Sequence, residues 1–189
     1  MYLDAKTITL SDSNFLNNNY DLSETIFKGG FLDIQSNSLI VRNTTFIKSL
    51  GKKGSAVSIT PSNSGASYLF SSCVFKNLIA STQGAAVYVT EPLNSTALTF
   101  WNCSFTQIAS KQGGVVYISF SISSTNFADY SSVLPRVNIS SSNSTHLYSS
   151  LGGLVFSEFS NVILNNINSV ENNPKNILKT ETTFLTFIQ

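Results

Sequence analysis

Apolar positions recur in two short patterns that alternate along almost the whole chain. The first is an octad, apolar at positions one, three and eight, seen at Ile8–Phe15, Leu39–Phe46, Tyr68–Phe75 and Leu98–Phe105. Weaker copies follow at Val137–Ile139 and Val162–Ile167. The second is a glycine-led hexad: Gly29–Ile34, Gly54–Ile59, Gly84–Val89, Gly113–Ile118 and Gly152–Ser157. Successive leading glycines are 25, 30, 29 and 39 residues apart. Both motifs are too short for a helix and alternate with period two, so both predict strands. In the hexad, Leu32/Ile34, Val57/Ile59, Val87/Val89 and Val116/Ile118 should point inward. In the octad the parity slips between positions three and six, where Ser, Asp, Asn and Arg stand. Such a slip implies a corner that keeps the same side of the chain inward. A third apolar step, Leu50, Leu78-Ile79 and Ile108, falls between the two motifs.

Three short strands per 25–30 residues, with no helical period between them, predict an all-β fold: a parallel β-solenoid of five to six coils. One coil cannot bury its inner face alone. Stacking at about 4.8 Å per rung completes both the hydrogen-bond ladder and the core. A sandwich or up-and-down barrel would also use short strands, but would not bring like residues back to like positions. The whole of 1–189 reads as one domain. Loops are expected at Thr60–Ser67 and Thr90–Thr96, which carry Pro61 and Pro92, and within Asn14–Lys28. A long insertion over 119–136 accounts for the 39-residue spacing. The opening Met1-Tyr2-Leu3-Asp4 does not read as a signal peptide. The last residues, Phe184–Ile188, read as a strand cut short, so the chain is expected to be a segment of a longer protein.

Composition narrows the function. Charged residues are 11% of the chain, 11 basic against 10 acidic, for a net charge of +1. Ser, Thr and Asn together number 69 of 189, so the surface is coated with neutral hydroxyls and amides. The longest basic cluster is Lys52-Lys53, which argues against a nucleic-acid partner. One His and two Cys exclude Cys/His zinc modules, so no metal or cofactor is expected. No apolar run reaches the roughly 18 residues needed to span a bilayer.

The paired motifs resemble the polymorphic-membrane-protein repeat, the GGAI and FxxN elements of extracellular β-helix adhesins. The GGAI-like hexad matches five times, and the resemblance as a whole spans roughly residues 8–170. FxxN matches strictly once, at Phe15–Asn18; in later copies the Phe stays and the fourth residue is Ser49, Leu78 or Ile108. The resemblance implies a single-stranded, right-handed parallel β-helix at the cell surface or outside the cell. The Asn/Ser/Phe/Ile-rich composition is also similar to that of large β-helical surface proteins of protists such as ciliates.

Few residues invite chemistry. Cys73 and Cys103 share one octad position in adjacent coils, so they form either a disulfide or two buried thiols. Asn43, Asn94, Asn102, Asn138 and Asn143 each begin an Asn-x-Ser/Thr sequon suited to a glycan, although corner Asn side chains could instead bond to one another. Tyr88, Tyr117 and Phe156 share the fifth hexad position, which faces outward. They form either an exposed ladder for sugars or a partner chain, or rings packed on one another or under the long loop. The ten acids are scattered, with no two expected at equivalent positions of neighbouring coils, and His146 has no evident catalytic partner.

The expectation is therefore a non-catalytic structural or adhesive glycoprotein element of a surface, matrix or filament. It would associate with itself or with neighbouring coils end to end. A carbohydrate-binding module using the aromatic ladder is the alternative, and a polysaccharide lyase or hydrolase a more distant one.

Overall fold

A computed structural model describes residues 1–19, 30–119, 134–158, 160–170, 178–181 and 185–188. Among them the fold is all-β, and every strand pairing is parallel. The hexads build one seven-stranded sheet in strict chain order: β1 (Tyr2–Asp4), β4 (Leu32–Ser36), β7 (Val57–Pro61), β10 (Val87–Val89), β13 (Val116–Ser119), β15 (Val155–Glu158) and β17 (Leu178–Glu181). The first half of each octad forms a second stack: β2 (Thr7–Ser11), β5 (Ser38–Arg42), β8 (Ser67–Ser71) and β11 (Ala97–Trp101). Its second half begins a third: β3 (Asn14–Asn19), β6 (Thr45–Lys53), β9 (Val74–Gln83) and β12 (Ser104–Gln112). These two stacks share the 16-residue β14 (Arg136–Leu151), which runs unbroken through both and joins them into an eleven-stranded sheet. Beyond β14 come β16 (Asn161–Val170) and then β18 (Leu185–Ile188). The continuity of β14 departs from the expected three short strands per repeat. Pairing resumes at once on either side of Ser141, so one left-handed residue bends the strand without ending it.

That left-handed residue is the corner inferred from the parity slip. Asp12, Asn43, Ser72, Asn102, Ser141 and Asn166 all have φ between 47° and 54°. All six are Asn, Asp or Ser; short polar side chains tolerate this region best, because they bond locally to the backbone. A second bend, not foreseen, recurs five residues later at Asn17, Lys48, Asn77, Gln107 and His146. It reverses side-chain parity again, so the residue just after it turns inward. The third inward column is therefore Ser49, Leu78, Ile108 and Leu147. Of the other residues in the apolar step, Leu50 is half-buried, and Ile79 points out and is 48% exposed.

Inside, equivalent residues pile on one another. Phe15, Phe46, Phe75 and Phe105 stack face to face with centroids 5.1, 5.0 and 5.3 Å apart. Phe70 and Phe100 stack beside them at 5.0 Å and meet the first column edge-on. The hexad aliphatics Leu32, Ile34, Val57, Ile59, Val87, Val116 and Ile118 are fully enclosed. The Phe column ends at Ser144, a buried serine whose hydroxyl donates to Ser169 Oγ at 3.1 Å. One acid pairing also differs from expectation, because the register of β15 on β17 sets Glu158 opposite Glu181. The sixth hexad lacks a leading glycine, so its alignment is hidden in the sequence. The insertion over 119–136 is bracketed by β13 and β14, with residues 120–133 outside the described ones, as are 20–28 of the Asn14–Lys28 excursion.

Candidate functional site

The fifth hexad column runs Asp33, Ser58, Tyr88, Tyr117, Phe156 in strand register. Its side chains point away from the main core, as their parity requires, and form a separate aromatic cluster with Leu151 packed against it. Tyr88 stacks on Tyr117 at 5.5 Å, and Tyr117 on Phe156 at 4.9 Å and 4° between planes. The ladder exists, yet it is not an exposed platform. Tyr88, Tyr117 and Phe156 are only 8%, 9% and 3% accessible. Their ring faces are spent on one another, so a sugar ring has none to stack upon. Burial also holds the Tyr117 phenol above its ordinary pKa.

What remains open is the edge of the ladder. Ser58 is small where its register partner Tyr88 is large, and Lys53 covers the free face of that ring. Its ammonium lies 4.9 Å from the ring centroid and donates to Tyr88 Oη at 3.2 Å. Lys53 is the first of a column on the third stack, Lys53, Gln83, Gln112, Leu151, each residue immediately preceding the leading glycine of a hexad. Gln83 Nε2 donates to Gln112 Oε1 at 3.0 Å. Between this column and the ladder lies a cleft of ≈ 430 Å³, whose far wall is Glu91, Pro92 and Leu93. A neighbouring cleft of ≈ 250 Å³ shares Lys53 and Gln83 and adds Thr82, Lys111 and Gln112. Sequence reasoning missed Lys53, Gln83, Gln112 and Lys111. For Lys53, Gln83 and Gln112 the signal was there, in the polar residue that precedes the hexad glycine in every copy but the last.

In the structure Cys73 and Cys103 are free thiols, both buried. Cys73 Sγ donates to Ser71 O at 3.3 Å, and Cys103 Sγ to Trp101 O at 3.4 Å. Contact with the Cys73 thiol, and then burial, holds the Cys103 thiol well above the usual thiol range. Both should resist a thiol-alkylating reagent in the native protein and take it up fully on denaturation without reductant. Labelling that appears only after reduction would mean a bridge.

The sequons divide. Asn43, Asn94, Asn102 and Asn143 are exposed, whereas Asn138 is half-buried with its Oδ1 enclosed and unpartnered. At the corners the amides bond along the stack: Asn43 Nδ2 to Asp12 Oδ1 at 3.1 Å, and Asn102 Nδ2 to Ser72 Oγ at 3.3 Å. Asn94 sits in the turn between β10 and β11, its carbonyl accepting from the Gly65 amide at 2.8 Å. Among the described residues, no three His, Cys, Asp or Glu side chains are grouped to hold a metal, and no helix is long and apolar enough to cross a membrane. Comparison with known protein families, characterised proteins and solved structures finds no match for this chain.

Proposed function

We propose that the chain is a right-handed parallel β-helix serving as a non-catalytic structural or adhesive element at a cell surface or outside the cell. The observation that carries this reading is the register: side chains at equivalent positions stack in columns through repeat after repeat. Successive parallel strands joined by crossovers favour the right hand. A rod of this kind offers no deep pocket and few free backbone amides to a protease. Of its described acids, Asp4, Asp12, Asp33 and Glu91 sit on separate strands and loops, and only Glu158 and Glu181 stand in register on neighbouring strands.

Self-association is part of this reading, since parallel strands stack by adding one to the next, and β1, β2 and β3 each have one strand neighbour among the described residues. Met1 and Tyr2 there are 60% and 56% exposed. Glycans at Asn43, Asn94, Asn102 and Asn143 would decorate the outside without entering a strand interface. Sedimentation at rising concentration, paired with labelling of intact source cells by a membrane-impermeant reagent, tests the proposal. Growth into elongated species and labelling without permeabilisation are expected. A compact monomer at every concentration, or label only after permeabilisation, overturns it.

A further inference from the structure

We infer that the groove between the third strand stack and the aromatic ladder binds a carboxylate-bearing polysaccharide of the uronate class. The first argument is charge segregation hidden by the net value of +1. Residues 34–128 hold Arg42, Lys48, Lys52, Lys53, Lys76 and Lys111 against the single acid Glu91, a local charge of +5; the flanking segments together carry −4. Five of those six cations lie on β6, β9 and β12, and these three strands carry no acid. Two of them, Lys53 and Lys111, line the smaller cleft together with Thr82, Gln83 and Gln112.

The second argument is spacing and preorganisation. In register, Lys53 and Gln112 are two rungs apart, about 10 Å at the strand spacing, and Lys111 directly precedes Gln112 on that second rung. Two units of a pyranose chain cover that length, so alternate carboxylates of one extended chain would reach both ammonium groups. Lys53 is already held by the Tyr88 ring and hydroxyl, which lowers the entropy lost on binding. Gln83 on the intervening strand and Gln112 beside Lys111 present amide donors and acceptors that suit sugar hydroxyls. Glu91 lines only the larger cleft and not the smaller one that holds both lysines.

Other polyanions fit less well. Nucleic-acid bases need open aromatic faces, and those of Tyr117 are both covered by its stacked neighbours. An acidic peptide gains most by adding to a free strand edge, whereas β9 and β12 are paired on both sides.

This site is independent of any end-to-end assembly, and the two are tested by different readouts. Calorimetric titration at low salt with a galacturonate oligomer should show binding that weakens as salt rises. Lys53→Gln/Lys111→Gln should weaken it by about tenfold or more, the loss expected for two charge-assisted contacts. Lys111→Gln alone, at an exposed residue outside the Tyr88 contact, should give a smaller loss with unchanged melting. The off-groove control Lys6→Gln/Arg42→Gln, which removes equal charge, should bind like the parent. The methyl-esterified oligomer, with the same hydroxyls but no carboxylates, should not bind. No binding, equal binding of the esterified oligomer, poly-glutamate or a DNA strand, or equal losses in the groove and control variants would each overturn the proposal.

Discussion

Phe75→Ala should cost about 3–5 kcal/mol of folding free energy, the range for emptying a buried phenylalanine site. Phe75 is fully enclosed and sits mid-column, 5.0 Å from Phe46 and 5.3 Å from Phe105. It also meets Phe70 edge-on at 5.8 Å and Phe100 at 6.2 Å. Removing the ring therefore cuts two face-to-face stacks and two edge contacts together. The hole cannot close readily. Each wall belongs to a strand fixed by parallel hydrogen bonds to the strand above and the strand below. Phe15→Ala supplies the comparison, because Phe15 ends the same column, is only partly buried, and stacks on Phe46 from one side. Urea denaturation should show a much larger fall in midpoint for Phe75→Ala than for Phe15→Ala, at similar slope. Equal losses would mean that the rings do not form a continuous interior column.

That column was readable in the sequence because the octads hold Phe at a fixed position and the repeat length brings it back over itself. The corner was readable for the same reason, since Asp12, Asn43, Ser72 and Asn102 mark a break in period-two parity. The second bend was not. No single residue type marks it, since Lys48 and Gln107 stand where Asn17 and Asn77 do, and the inward residue after them is Ser49 in one repeat and Leu78 in the next. A buried serine reads as surface until its partner is seen: Ser49 Oγ donates to the Ser55 carbonyl at 2.6 Å. Parity gave the direction of Tyr88 and Tyr117 but not their burial, because alternation tells which way a side chain points and not what lies there. The groove lysines were missed because a balanced total charge hides a segregated one.

Gly114→Ala should be among the most damaging small substitutions, costing at least about 3 kcal/mol, the upper range of overpacking. A Cβ at Gly114 would stand 2.1 Å from the Gly153 carbonyl oxygen, which belongs to the backbone of the next repeat. A clash with a flexible side chain could be relieved by a rotamer change, but this one meets main chain. Gly114 is also tied on both sides: its amide donates to Gly152 O at 2.9 Å, and its carbonyl accepts from the Ala85 amide at 3.0 Å. Relief would require parting two adjacent repeats and weakening those bonds, so the clash and the ladder oppose each other. Gly65→Ala isolates the other cost of replacing a glycine. Gly65 has φ of +75° but nothing within 4 Å of the added carbon, so only the left-handed strain of about 1–2 kcal/mol remains. Thermal melting should therefore order the proteins parent, Gly65→Ala, Gly114→Ala, with a clear gap before the last. A Gly114→Ala protein that melts with or above Gly65→Ala would show that neighbouring repeats leave room for a methyl group at this turn. The close backbone approach would then not be the reason for the second glycine of the motif.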